Sequence, residues 1–190
     1  DLGNEFYQLW LDPSMSYSSA LYRTVDDGNL ETAQHAKYRR ILQRLKAETG
    51  QSVLEIGCGW GGFAEMAVQQ GLQVTGLTLS PAQLAWAQKR VPSADLRLQD
   101  YRDTKEQFDH IVSIEMFEAV GESWWPTYFK TIAQALKPGG RAVVQSITIR
   151  DDLFADYRKG TDFIQQYVFP GGMLPSRSAF RAAAAKQSLV

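Results

Sequence analysis

Val53-Leu54-Glu55-Ile56-Gly57-Cys58-Gly59-Trp60-Gly61-Gly62-Phe63 decides the fold: a short apolar strand, a glycine-dense turn, then the opening of a helix. Four glycines without Cβ atoms let the backbone turn tightly and leave the main chain open to a ligand. The helix that follows aims unpaired N–H groups and the positive end of its dipole at the same space. By spacing, Gly57-x-Gly59-x-x-Gly62 also satisfies the dinucleotide fingerprint, a pattern that says little by itself. Two details separate the options. Glu55 stands shortly before the first glycine, where a carboxylate meets the cationic methionine end of S-adenosylmethionine. The acidic residue expected about 20 positions further on for the ribose of NAD is missing, its place being held by Leu77-Thr78-Leu79. The turn therefore reads as an S-adenosylmethionine site, with a ligand-free glycine turn as the alternative.

Outward from this turn the pattern alternates strand and helix. Strands are expected at 52–57, 73–79, 95–99, 108–114 and 141–149, with helices at about 62–70, closed by Gly71, and at 81–90. Ser80-Pro81-Ala82-Gln83 forms a capping box for the second of these. A further helix starts near Ser123 and stops at Pro138-Gly139-Gly140. Such alternation implies an α/β fold, a doubly wound and mostly parallel sheet with right-handed crossovers. Ahead of it, Leu2, Phe6 and Trp10 mark a short amphipathic helix over 2–11, broken at Asp12-Pro13-Ser14. Asn29 caps a helix carrying Leu30, Ala33, Lys37, Ile41, Leu42 and Leu45. Lys37, Arg40 and Arg44 share one side of it, read as a solvated face, with anionic phospholipid as the alternative. Ser176 caps a last helix through the alanine run 182–185.

A chain of 190 residues, 44% hydrophobic and 22% charged, has the composition of one soluble globular domain with a sizeable core. A net charge of −1 gives no reason to expect nucleic acid. No apolar run approaches the ~20 residues of a membrane span, and no signal-peptide pattern opens the chain. The one cysteine, Cys58, has no internal disulfide partner, which suits a reducing cytoplasm. Between two glycines it reads as a small residue filling a tight turn, with a catalytic thiol as the alternative. The start at Asp1 and the stop at Leu189-Val190, where an apolar run begins, suggest a piece of a longer protein.

In a doubly wound sheet the ligand cleft lies beyond the carboxyl ends of the strands, where strand order reverses. With strands one and four as neighbours, the glycine turn faces Glu115-Met116-Phe117-Glu118-Ala119-Val120-Gly121, and both acids approach the cofactor. Position at the strand end favours Glu118. Asp100, just after strand three, can accept a hydrogen bond from an adenine amine. Trp124, Trp125, Tyr128, Tyr167 and Phe169 crowd the same region. They read either as core packing or as an apolar pocket whose ring faces stabilise a cation.

Together, Tyr17-Ser18-Ser19-Ala20, the glycine turn, Gly76-Leu77-Thr78-Leu79-Ser80 with Gln83, Gln99-Asp100-Tyr101-Arg102, Met116–Gly121 and Phe169–Ser176 resemble the cyclopropane-fatty-acyl-phospholipid synthases. The mycolic acid cyclopropane synthases are similar but more distant. The resemblance covers nearly the whole chain. It implies a Rossmann-like class I methyltransferase sheet lacking its last strands. Residues 1–50 would be an N-terminal helical segment covering the active site, and 51–190 the S-adenosylmethionine-binding core. Tyr17, Ser18, Gly57, Cys58, Gly59, Gly61, Thr78, Leu79, Ser80, Gln83, Asp100 and Tyr101 would surround the cofactor. The cis double bond of a phospholipid acyl chain would take the methyl group, and the resulting cation would lose a proton and close to cyclopropane. The family's base is a bound bicarbonate near Glu118. The resemblance also implies a cytoplasmic protein in peripheral contact with the inner membrane surface, and it leaves a homodimer open.

Two positions depart from better-known members. Ser19 stands where they have a cysteine and Gln145 where they have a histidine, while Ile147 fits the pattern. Serine and glutamine can still donate hydrogen bonds to an oxyanion, so Ser19, Glu118, Gln145 and Ile147 are the expected catalytic set. The departures raise two alternatives, a methyl- or methylene-branched product and a cofactor-binding fragment without turnover. No metal site is expected.

Overall fold

The computed structural model describes residues 3–24 and 28–189, so Leu2 and Val190 of the expected terminal features lie outside the described residues. Five parallel strands, β1 (Ser52–Ile56), β2 (Gln73–Thr78), β3 (Asp95–Leu98), β4 (Phe108–Ile114) and β5 (Leu136–Gln145), form one sheet in the order β3-β2-β1-β4-β5. The order reverses between β1 and β4, as the doubly wound reading requires. Glu55 lies opposite Val112, and Ile56 opposite Ser113.

Side chains alternate across the sheet, because successive residues of a strand face opposite sides. Val53 and Val112 enter one core with residues of α2 (Leu30–Leu45), α3 (Gly62–Gln69) and α4 (Pro81–Arg90). Leu54, Ile56 and Ile111 enter the other, against α5 (Trp125–Ala135) and the flank of α7 (Arg177–Ala185). The expected caps are present. Asn29 accepts from the Thr32 N–H, Ser80 from Gln83 and Ser176 from Ala179. Gly71 has φ +80° and donates to the Val68 carbonyl as it ends the α3 region.

Two boundaries differ from the sequence reading. The last strand runs over Leu136–Gln145, not 141–149, and pairs from Phe108 onward with a register irregularity before His110. Beyond Gln145 the chain leaves the sheet, because the Ile147 N–H is taken by the Glu118 carboxylate; Ile149 instead bridges to Ser176. The opening helix, α1 (Gly3–Gln8), is shorter than expected, and a seventh, α6 (Asp151–Tyr157), follows the sheet.

The solvated-face reading of α2 fails at Lys37. Arg40 and Arg44 are exposed, but Lys37 is buried at 3% exposure, alongside Gln34 and Tyr38. These three form a polar stripe inside an otherwise apolar helix face. Gln34 donates to the carbonyls of Ser16 and Ser18, and Lys37 Nζ reaches Ser18 Oγ at 2.5 Å. Tyr38 shares a hydrogen bond with Ser16 Oγ at 2.5 Å. The stripe thus fixes Ser14–Ser19, a stretch without helix or strand, above the sheet.

Close approach makes Gly62 obligatory. A Cβ there would lie 2.9 Å from Tyr38 Oη and 3.0 Å from the Ser14 carbonyl. Gly62→Ala is expected to lower stability by about 1–3 kcal/mol through overpacking, read as a shift of the urea midpoint with an unchanged m value.

Candidate active site

Past the carboxyl ends of β1 and β4 lies a cavity of about 580 Å³, within the range of small-molecule sites. Of the expected residues, Tyr17, Ser18, Glu55, Gly57, Cys58, Gly59, Gln83, Glu118 and Ile147 line it. Gly57 and Gly59 have φ of +84° and +53°, so the turn needs glycine for its conformation; Gly59 also faces open space. Gly61, at φ +83°, packs behind the turn against Ala87.

Glu55 is held at the floor, 3% exposed. It accepts from the Ala64 N–H at the start of α3, while its Oε2 has no partner. Burial pushes its carboxyl well above the ordinary range; the Lys37 ammonium and that hydrogen bond oppose the shift. Burial likewise lowers Lys37 to about 8, against the attraction of Glu115, Asp12 and Glu55. An orphaned buried acceptor facing an open glycine turn fits a ligand carrying a cationic amine. Cys58 is buried and its thiol is pushed upward, the reverse of an activated nucleophile.

The next residues stand outside the cavity wall. Thr78 Oγ1 donates to Gln83 Oε1 at 2.9 Å and accepts from the Ser80 N–H, so Thr78 and Ser80 orient Gln83, which does line the cavity. Leu79 projects from the end of β2 at 71% exposure. Asp100 accepts from the Arg102 N–H and guanidinium, which holds its carboxyl below the ordinary range, and Tyr101 packs its ring on Tyr128. The resemblance would set the adenosine end across this edge.

The catalytic set is arranged differently from the expectation. Ser19 and Gln145 meet on Glu115, not on Glu118. Ser19 Oγ donates to Glu115 Oε1 at 2.5 Å and Gln145 Nε2 donates to the same oxygen at 2.8 Å. The Ser19 N–H bridges both carboxylate oxygens at 3.2 and 3.1 Å. Glu118 instead accepts from the Ile147 N–H, and its Oε2 is buried without a partner. Burial raises the Glu118 carboxyl, helped by the neighbouring Glu115 charge.

Trp125 and Tyr128 belong to the core, packed around Phe117, and Trp124 lies outside under the Arg102 guanidinium. Tyr167 is exposed. Of the aromatics expected around a cation, Phe169 alone reaches the cavity, beside Tyr17. Met116, Ile147, Ile164, Met173 and Leu174 add apolar lining, with Tyr157, Asp162 and Gln165 as polar neighbours among them. Glu55, Glu115, Glu118 and Asp162 line the cavity, whereas no lysine, arginine or histidine does among the described residues. No group of side chains suited to a metal ion occurs among them either.

Sequence reasoning missed Lys37 as a buried group, although its place in the apolar period of α2 carried the signal. It also missed Gln34 and the Arg90 guanidinium, which clamps the carbonyls of Pro13 and Ser14.

A family model described as mycolic acid cyclopropane synthetase matches residues 1–190. The chain is 44% identical over 180 residues to the cyclopropane-fatty-acyl-phospholipid synthase of Escherichia coli K12, covering 93% of this chain and 45% of that protein. It is 38% identical over 191 residues to the tuberculostearic acid methyltransferase UfaA1 of Mycobacterium tuberculosis, covering 94% and 45%. The chain therefore spans about half the length of these relatives. The cyclopropane synthase MmaA2 of M. tuberculosis superposes with a TM-score of 0.89 at 32% identity, over 98% of this chain and 71% of that one. A structure of the mycolic acid cyclopropane synthase CmaA1 complexed with SAH and CTAB gives 0.88 at 32% identity, with the same coverage. The fold is that of the class I methyltransferases.

Removing the Lys37 charge leaves Glu55 buried without its facing cation. Lys37→Met is expected to cost about 1–3 kcal/mol, and adding Glu55→Gln to recover most of it. Urea unfolding of both single variants and the double variant measures this coupling.

Proposed function

We propose that this chain, which belongs to the mycolic acid cyclopropane synthetase family, is the S-adenosylmethionine-binding part of a methyltransferase acting on unsaturated phospholipid acyl chains. The product is a cyclopropane formed across a cis double bond. The observation that carries this reading is a single cavity lined by the glycine turn, by Glu55 with its Oε2 unpartnered, by apolar side chains and by the Glu115 and Glu118 carboxylates. When bound, S-adenosylmethionine would supply a sulfonium-activated methyl group for transfer to the alkene.

The chain's own residues provide the rest. Glu55 receives the amino end of the cofactor, and Gln83, set by Thr78 and Ser80, faces the adjoining part of the cavity. Met116, Ile147, Ile164, Phe169 and Leu174 shield the acyl chain from water. Glu118, at the reacting end, stabilises positive charge as it develops on the acyl chain. Exposed apolar side chains support peripheral contact with the inner membrane surface. Phe163 and Tyr167 are exposed and alternate in sequence with the lining residues Asp162, Ile164 and Phe169, and Leu9 and Trp10 are exposed at the end of the opening helix. No helix among the described residues is long and apolar enough to cross a membrane.

Bicarbonate does not fit the donors present. Ser19 Oγ and Gln145 Nε2 are both spent on Glu115, and a second anion beside that carboxylate would be repelled. A second product class is favoured by Ser19, Gln145 and the likeness to UfaA1: a methyl-branched alkene, formed if the carbon that received the methyl group loses its proton, or a methylene branch, formed if that hydrogen first shifts as hydride to the cationic carbon and the methyl group then loses a proton.

In cells expressing the full-length protein, mass spectrometry of lipids is expected to show unsaturated chains gaining one CH₂. High-field methylene protons in the NMR spectrum identify a ring, and their absence in a heavier lipid selects the branched product. No heavier lipid from any unsaturated substrate defeats the proposal. Glu118→Gln is expected to lower kcat by about 10²–10³-fold while S-adenosylhomocysteine affinity, measured by calorimetry, changes less than about twofold.

A further inference from the structure

We infer that Glu115 is the proton acceptor of this site, a carboxylate of the chain itself standing where the family resemblance would set a bound bicarbonate. The inference rests on the methyl-transfer reading above and deepens it.

Glu115 lines the cavity, while Ser19 and Gln145 grip it from outside the wall. Oε1 takes both side-chain donors, whereas Oε2 accepts only the longer, shared bond from the Ser19 N–H. One oxygen is thus anchored and the other keeps lone-pair capacity. The backbone is anchored too, since the Glu115 N–H donates to the Gln145 carbonyl at 2.9 Å and prolongs the β4–β5 pairing by one residue. Glu115 adopts φ +49°, a left-handed conformation that costs a non-glycine residue about 1 kcal/mol or more. Strain at a residue whose carboxylate is held by three donor groups marks the side chain as one the site requires.

The chemistry demands little of the base. After methylation the acyl chain carries a cation on the carbon beside the one that received the methyl group. A C–H bond of the added methyl breaks and its proton goes to Glu115 Oε2. The electron pair left on carbon forms the bond to the cationic centre, closing a three-membered ring, and both the acyl chain and Glu115 end neutral. Because the pair released from that C–H bond goes directly into the new carbon–carbon bond to the cationic centre, the proton leaves as the ring closes and a carboxylate placed against the methyl group suffices. The anchoring donors hold Glu115 in one position, limiting its attack to the methyl group presented to it.

The full-length protein carries the test. Wild-type turnover is expected to be unchanged, within about twofold, in buffer stripped of carbon dioxide under argon and in buffer with added bicarbonate. ¹³C-bicarbonate NMR titration is expected to detect no binding to the wild-type protein. Glu115→Gly suits the local φ and frees Ser19 and Gln145. It is expected to bind ¹³C-bicarbonate, to lose about 10²–10⁴-fold in turnover without it, and to recover at least tenfold when it is added. Glu115→Gln is expected to keep S-adenosylhomocysteine affinity, lose turnover and gain nothing from bicarbonate. Bicarbonate binding by wild type, bicarbonate-dependent wild-type turnover, or full activity of Glu115→Gly in stripped buffer each overturns the inference. If the wild type makes no lipid product, the methyl-transfer reading fails, while the binding titrations still decide whether Glu115 occupies the anion position.

Discussion

Everything at this site follows from the parallel pairing of β1 with β4. A parallel neighbour fixes which strand ends lie together, and the register Glu55 to Val112 puts the glycine turn beside Glu115 and Glu118. Sequence separates these groups by about sixty positions, and the sheet removes that distance without a dedicated contact. The alternation of faces then decides their environments. Glu55 points to the α2 side, where Lys37 is buried, while Leu54 and Ile56 on its two sides point to the α5 core.

The polar stripe on α2 solves a problem that the pairing creates. A cavity at the strand ends needs a roof, and Ser14–Ser19 provides one without regular backbone hydrogen bonds. Buried carbonyls cannot be left unpaired. Gln34 satisfies those of Ser16 and Ser18, and Arg90 satisfies those of Pro13 and Ser14. Lys37 is the most demanding member of the stripe, since an ammonium in the interior is tolerated only with partners. Ser18 and the surrounding acids supply them, so the roof and the charged floor are held by one side chain.

Local chemistry was the legible part of this protein. The glycine turn, the caps at Asn29, Ser80 and Ser176, and the strand alternation are short-range signals, and the structure follows them to within a few residues. The pair of acids after β4 was visible for the same reason. Which acid Ser19 and Gln145 would choose was not, because the choice turns on tertiary placement: the β4 end twists Glu115 toward the roof while Glu118 turns to cap the chain leaving β5. Aromatic residues misled in the same way. Trp125 and Tyr128 occupy the buried period of α5, and composition near the site could not separate that face from the cavity wall. Lys37 shows the opposite lapse, a charge assigned to solvent by its type although its helical position placed it inside.

The charge balance of the cavity ties these pieces together. Four acidic side chains line it, with no basic group on the lining among the described residues, and Lys37 behind the wall is the nearest buried cation. An apolar enclosure makes such an excess costly, as the raised Glu55 and Glu118 carboxyls register. A ligand bringing positive charge relieves that cost at once, and an ammonium with a neighbouring sulfonium relieves more of it than either alone. On the proposed reading, methyl transfer would move the sulfonium's charge onto the acyl chain and proton loss would move it onto a carboxylate, so the acids that line the cavity would face positive charge at each stage.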